Sequence, residues 1–177
     1  MQYYCLMVLT GEEKTFKSAA TNVLREIDPD VQFYYFERKL FTEKRGWFLA
    51  PLFPGYLFLG TRELTTQVFS ELKSVKGFVR ILNSNEIPTQ ITGNALDELQ
   101  FLMHNGEVLG VSKLVFLSNQ KVKAISGPFV GYEGQIVFVN KKRKRITVRS
   151  LLTNGSTIFD LKYEEAVLSS VSEKSPI

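Results

Sequence analysis

Two rhythms of apolar positions divide the chain. Over the first hundred residues, short apolar runs alternate with stretches of helical period. Tyr4 to Leu9 suits a buried strand. Phe16, Ala19, Ala20, Val23, Leu24 and Ile27 then recur at helical spacing. Thr10 is the candidate N-cap of that helix, Glu12 and Glu13 suit its first turn, and Asp28-Pro29-Asp30 stops it. Val31 to Arg38 alternates aromatic faces and predicts a second strand. Lys39 to Pro51 predicts a long loop or hairpin, and Tyr56 to Leu59 a third strand. A helix is predicted over Thr65 to Ser74, a fourth strand over Phe78 to Leu82, and a third helix capped by Thr92. Leu96, Leu99, Leu102 and Met103 share a face of that helix. The order β-α-β-β-α-β-α predicts an α+β module: an antiparallel sheet flanked by helices.

Beyond Asn105-Gly106 the helical rhythm stops. Residues 106–119 are predicted as a linker, although Leu114-Val115-Phe116-Leu117 is apolar enough to dock on either module. From Lys121 onward only short strands are predicted, over Val122–Ile125, Gly134–Val139, Ile146–Arg149 and Thr157–Leu161. Gly127-Pro128, Asn140-Lys141 and Asn154-Gly155 mark the turns between them. Closely spaced short strands predict a small closed β-barrel, which leaves few free sheet edges. The expected organisation is therefore a front module over 1–105, a linker over 106–119, a barrel over 120–170 and a tail over 171–177.

Charge follows the same division. Residues 1–117 carry 12 Lys/Arg and 13 Asp/Glu, whereas residues 118–170 carry 9 and 4. A near-neutral front and a basic back predict different partners, with nucleic acid a candidate for the second. The single Cys5 leaves no intrachain disulfide or cysteine-built zinc site, in keeping with a reducing cytoplasm. The single His104, at a predicted helix end, has no carboxylate spacing suited to hydrolytic chemistry. No enzyme, cofactor or metal site is expected. No run approaches the ~18 apolar residues of a membrane span, and no signal peptide is read at the first residues.

Three constellations stand out. Pro51-Leu52-Phe53-Pro54-Gly55-Tyr56-Leu57-Phe58 is a rigid corner carrying three aromatic rings into a strand. Residue type alone leaves open whether Phe53, Tyr56 and Phe58 are core or a docking face. Lys141-Lys142-Arg143-Lys144-Arg145 is a run of five cations between two barrel strands. Ile146 and Val148 should face inward, leaving Arg149 outside with Arg145, while Lys121 and Lys123 alternate outward on the first barrel strand. Such a surface suits a polyanion, with binding that weakens steeply with salt. A solvated basic loop is the plainer reading. The third is Gly127-Pro128-Phe129-Val130-Gly131-Tyr132-Glu133-Gly134, whose rings either seal the barrel end or meet a partner.

Together these segments resemble the NusG family of transcription elongation factors. The corner at 51–58 is similar to that family's N-terminal signature, and residues 121–148 resemble its KOW motif. The resemblance covers about 4–168 and implies an NGN-like front domain and a KOW-like barrel. It implies docking on the clamp helices of the RNA polymerase largest subunit through Phe53, Pro54, Tyr56 and Phe58, with Met7 and Ile81 as weaker carry-overs. Leu151-Leu152-Thr153-Asn154-Gly155-Ser156-Thr157 and Asn119-Gln120 depart from the general pattern. The short spacer and dense basic hairpin resemble a specialised, LoaP-like antiterminator. The barrel would then contact a nascent RNA hairpin through Lys121, Lys123, Lys141, Lys142, Arg143, Lys144, Arg145 and Arg149. Arg38, Lys39, Lys44 and Arg45 are candidates for upstream or non-template DNA. A monomeric, cytoplasmic, non-catalytic factor is expected. The alternatives are a general family member with a protein-binding barrel and a ribosome-associated KOW protein that binds RNA.

Overall fold

The computed structural model describes residues 1–82, 86, 88–117, 121–153, 155 and 157–166. Its first elements are β1 (Gln2–Val8), α1 (Glu13–Leu24), β2 (Gln32–Tyr34), β3 (Glu37–Thr42), β4 (Gly46–Pro51) and β5 (Tyr56–Thr61). They are followed by α2 (Thr66–Ser74), β6 (Phe78–Ile81) and α3 (Gly93–His104). A four-stranded antiparallel sheet, ordered β2-β5-β1-β6, forms the front module. Period-two alternation sorts its side chains. Tyr4, Leu6, Val8, Leu57 and Leu59 pack under α1 and α2 with Phe16, Leu24, Val68 and Leu72. Cys5 and Phe58 share the other core, with Leu99 and Leu102 of α3.

The helix caps differ from one another. Thr65 caps α2, its hydroxyl accepting the Val68 N–H at 3.2 Å. Thr92 occupies the cap position of α3 without a side-chain bond. Thr10 does not cap α1: the cap residue is Glu12, and Glu13 turns its carboxylate back onto the Gly11 N–H at 2.9 Å. The strand expected over Val31–Arg38 breaks after Tyr34, and β3 leaves for a separate sheet ordered β4-β3-β7. Lys39–Pro51 folds as the arms and turn of the β3–β4 hairpin, with Phe41 opposite Trp47 and Lys39 opposite Leu49.

The rear elements are β7 (Val108–Leu109), β8 (Ser112–Phe116), β9 (Val122–Ser126), a 3₁₀ turn at Glu133–Gln135, β10 (Ile136–Asn140), β11 (Arg145–Arg149) and β12 (Ile158–Glu165). The segment expected as a linker thus carries two strands. Its apolar Leu114 and Val115 are buried in β8, which pairs with β9 and, in parallel, with β12. The sheet order is β10-β11-β12-β8-β9. Among the described residues no ladder joins β9 to β10, so the sheet is a curled half-barrel rather than the closed ring expected. The 3₁₀ turn diverts the chain there, and the Glu133 carboxylate spans the seam by accepting the Ala124 N–H at 2.9 Å.

The two modules share one apolar core. Phe36, Phe53, Phe58, Leu99 and Leu102 from the front lie with Ile146, Val148, Phe159, Leu161 and Tyr163 from the back. Each fully buried aliphatic or aromatic side chain contributes about 1.5–3 kcal/mol by leaving water.

Candidate functional site

The aromatic corner is held by a residue far away in sequence. Gly55 has φ +79°, a left-handed conformation, and an added Cβ would meet Thr10 Oγ1 at 2.8 Å. Its N–H donates to Glu13 Oε1 at 2.7 Å and its carbonyl accepts the Val8 N–H at 2.9 Å. Glu13 therefore ties the corner to the start of α1, which accounts for the burial of a carboxylate there.

The three rings separate. Phe58 is fully buried, edge-on to Phe53 with centroids 5.3 Å apart and tilted against Phe36 at 5.7 Å. Phe53 is 1% exposed, and the barrel helps cover it: Phe159 meets it edge-on at 5.5 Å. Pro54 is exposed, and Tyr56 and Met7 are half-buried. Ile81 is fully buried on the opposite, helix-covered side of the sheet.

Three further contacts fasten the barrel to the front module. Tyr132 stacks on Phe101 of α3, with centroids 4.1 Å apart and planes within 12°. Arg38 Nη1 donates to the Asp160 carbonyl at 2.9 Å, so this guanidinium, one of the candidate DNA contacts, faces the barrel. Glu98, almost wholly buried, accepts the Leu151 N–H at 2.7 Å through Oε2, while Oε1 has no partner. Burial raises its carboxyl above the ordinary range, against the lowering effect of Ser150 and the Leu151 and Leu152 amides.

The cationic run forms the β10–β11 turn. Asn140 Oδ1 accepts the Arg143 N–H at 2.9 Å, and Lys144 adopts φ +51° to close the turn. Ile146 and Val148 are fully buried and Arg149 is exposed. Lys144 pairs with Glu165, and Arg145 lies 3.9 Å from Asp160. Lys141 lies over the Phe116 ring at 4.6 Å. Lys142 and Arg143 are exposed and form no ion pair among the described residues. Lys121 and Lys123, both exposed, belong to the β9 edge of the sheet and are not brought into the turn.

Lys39, Lys44 and Arg45 are exposed on the β3–β4 hairpin. Lys39 lies over Trp47 at 5.1 Å and Arg45 over Phe48 at 4.6 Å. Between this hairpin and the basic turn runs a cleft of about 470 Å³, lined by Phe41, Thr42, Glu43, Lys142, Arg143, Arg145 and Lys162. The residues that join the modules, Glu98, Phe101 and Phe159, carried no local signal: their role depends on long-range packing. Trp47 could have been noticed as the chain's lone tryptophan, set among cations.

A helix-backed sheet carrying an aromatic corner is joined to a curled, basic half-barrel. The family model described as "Transcription termination factor nusG" matches residues 1–100, more than half of the chain. The chain belongs to the NusG family, whose members act in transcription elongation and termination. It is 21% identical over 185 residues to the transcription termination/antitermination protein NusG of Thermus thermophilus, covering 94% of this chain and 98% of that protein. A second relative, from Pseudomonas aeruginosa and with the same description, is 26% identical over 115 residues, 64% of each chain. Among solved structures, one described as "Domain interaction in Thermotoga maritima NusG" shares the fold. Its TM-score is 0.59 at 20% identity, over 91% of this chain and 93% of that one.

Proposed function

We propose that this protein is a LoaP-like processive antitermination factor. Its front module docks on the clamp helices of the RNA polymerase largest subunit, and its basic half-barrel contacts a nascent RNA hairpin. The observation that carries this reading is the burial of Phe53 against Phe159. An apolar corner covered by the chain's own second module is a surface suited to exchange that cover for a partner. Pro54, Tyr56 and Met7 form its accessible rim, and Phe53 and Phe58 lie behind it. Ile81, on the far side of the sheet, supports rather than touches. Docking therefore requires the barrel to move aside, so the arrangement described here is the waiting form.

On the barrel, Lys142 and Arg143 lack acidic partners among the described residues and are placed to neutralise phosphates, with Lys141, Lys144, Arg145 and Arg149 beside them. Lys121 and Lys123 would reach RNA only along the other edge. Lys39, Lys44 and Arg45 remain candidates for DNA.

A second reading has its own observation. A register shift between Ile136 and Phe138 leaves both Val137 and Phe138 exposed, Phe138 by 59%, while Val130 and Ile158 are also exposed. An exposed apolar surface suits a protein partner, as for a general family member whose barrel binds a ribosomal protein or Rho.

Polymerase affinity of the full chain and of a folded Tyr56→Ala variant tests the first part. A fall of about tenfold or more is expected for a ring near the contact centre. Unchanged affinity counts against docking. Mobility shifts of leader RNA hairpins with Lys142→Ala/Arg143→Ala and with Phe138→Ala then separate the two readings. Loss of RNA in the first variant favours antitermination through RNA. No RNA binding in the parent chain, with capture of a protein that Phe138→Ala abolishes, favours the second.

A further inference from the structure

The cleft between the β3–β4 hairpin and the β10–β11 turn is formed by both modules. Its barrel wall presents Lys142, Arg143, Arg145 and Lys162, and its hairpin wall Phe41, Thr42 and Glu43. Four cations thus face one acid. Arg145 is the only one of the four with an acidic neighbour among the described ion pairs, at the long distance of 3.9 Å. Lys162 Nζ donates to the Arg143 carbonyl at 3.1 Å, which holds it inside this crowd. Burial, followed by Arg145 and Lys144, makes Lys162 easier to deprotonate than an ordinary lysine. Excess positive charge of this kind favours an anion.

Aromatic surface continues from the cleft onto the outer face of the hairpin. Phe41 is 38% exposed and Trp47 49%, with ring centroids 5.3 Å apart. They are direct cross-strand partners, and Lys39 and Leu49 form the next pair on the same face. Leu49 is also exposed. A ring pair left in water beside cations matches one ligand chemistry in both respects. Bases stack on the rings, and the phosphates that join them meet the lysines and arginines. A folded protein partner would supply apolar area but would need an unusual density of carboxylates to satisfy the opposite wall. A duplex would satisfy the cations but would keep its base faces from Trp47 and Phe41.

We infer that this intermodule cleft binds single-stranded RNA, with Trp47 and Phe41 as the stacking platform and Lys142, Arg143 and Lys162 as the phosphate contacts. The inference rests on the reading that the barrel contacts RNA, and it adds the hairpin as a second wall with a different task. Glu43 repels phosphate at the hairpin tip, so the backbone follows the barrel wall while the bases turn toward the rings. A strand that touches both walls stabilises the closed arrangement, so RNA in this cleft and polymerase on the covered corner oppose each other.

Trp47 is the chain's only tryptophan, so its fluorescence reads the platform directly. The full chain is titrated with an oligouridylate of about 12 nucleotides, within the usual range of single-strand sites. Saturable quenching of Trp47 is expected. Trp47→Ala and Phe41→Ala, followed by anisotropy of labelled RNA, should each lose about 5- to 100-fold in affinity, and Trp47→Phe should retain most of it. Lys142→Ala/Arg143→Ala should flatten the slope of log affinity against log salt by about 1.4. Circular dichroism checks that each variant is folded.

RNA binding that leaves Trp47 emission and the Trp47→Ala affinity unchanged, yet weakens in the lysine-arginine variant, overturns the stacking platform and leaves the RNA-binding barrel standing. Absence of RNA binding by the parent chain removes both. Tighter binding of double-stranded RNA, or of the deoxy oligomer alone, also overturns the assignment.

Discussion

Replacing Tyr132 by Ala should make the front module bind polymerase more tightly, although Tyr132 lies on the other module. Its ring stacks on Phe101 at 4.1 Å and is half-buried. An aromatic pair contributes about 0.5–1.5 kcal/mol beyond burial. Half of a fully buried ring's transfer free energy adds about 1 kcal/mol. Part of the loss falls within the barrel, where Tyr132 also meets Phe129 edge-on at 5.8 Å. About 2 kcal/mol is thus taken from the closed arrangement, or roughly thirtyfold in its ratio to the open one. Apparent affinity scales with the binding-competent fraction, so polymerase should bind up to about 30-fold tighter if the parent chain is almost wholly closed. Anisotropy with labelled polymerase should show the gain, and small-angle scattering should show an increased radius of gyration to the extent that the variant's open form becomes well populated. A truncation cannot improve binding by adding a contact, which makes the sign diagnostic. Phe53→Ala is the control: it also releases Phe159 but deletes a ring of the proposed docking surface, so it should give no comparable gain. A folded Tyr132→Ala chain with unchanged dimensions and unchanged polymerase affinity would refute a closed, self-covered corner.

Glu98→Gln should abolish a pH dependence of closure. Because burial raises this carboxyl in the folded, closed form, its contribution is full below the ordinary carboxyl range and is lost as pH rises through the elevated value. Parent dimensions should therefore increase from acid to neutral pH while those of the variant stay constant, and parallel curves would dismiss Glu98. Gly127→Ala should lower the melting temperature of the barrel by at least about 5 °C. Gly127 has φ +91° and its added Cβ would lie 2.6 Å from Ser112 Cα, so an unshifted melt would contradict the geometry. Inserting about eight Gly/Ser residues between Gly110 and Val111 should favour opening by about tenfold through lost effective concentration. Scattering profiles identical to the parent's would exclude a tethered closure.

Most elements of the front module were legible because they are locally determined, whereas the break after Tyr34 that sends β3 to a second sheet was not. Tyr4, Leu6 and Val8 alternate along β1, and Phe16, Ala20 and Leu24 form the buried stripe of α1. Thr65, expected as the first residue of its helix, proves to be its cap, while Thr92, expected as a cap, makes no side-chain bond. Nor does Thr10 cap its helix. What displaces it is Glu13, whose carboxylate is shared between Gly11 nearby and Gly55 across the module. The strand β8 was concealed because Leu114–Leu117 has no polar alternation. Such a run does not say which sheet receives it, and its pairing with β12 joins residues about fifty positions apart. The aromatic corner and the basic turn were visible as residue types in order. The burial of Phe53 by Phe159 was not, because neither ring indicates its partner.

That burial and the joint between modules belong to one physical design. Val108–Leu109 pairs with β3 of the front, and Ser112 begins a strand of the half-barrel, so only Gly110 and Val111 lie between the two sheets. A joint so short keeps the barrel at high effective concentration over the corner. The closing contact is the shared apolar core, to which two ring pairs, one guanidinium–carbonyl bond and the buried Glu98 carboxylate on the Leu151 N–H add direction. Glu98 matters because it is imperfect. A buried carboxylate oxygen without a partner reduces the closed form's advantage. A tighter lock would oppose the proposed exchange of the barrel for polymerase. The same short joint restrains the β3–β4 hairpin beside the basic turn, because β7, which leads into the joint, is itself paired with β3. If the barrel leaves the corner as proposed, the cationic cleft should widen, and an anion held in the cleft should delay that opening. Apolar and electrostatic surfaces, separate in the sequence, are thus joined through the same two-residue connection, Gly110-Val111.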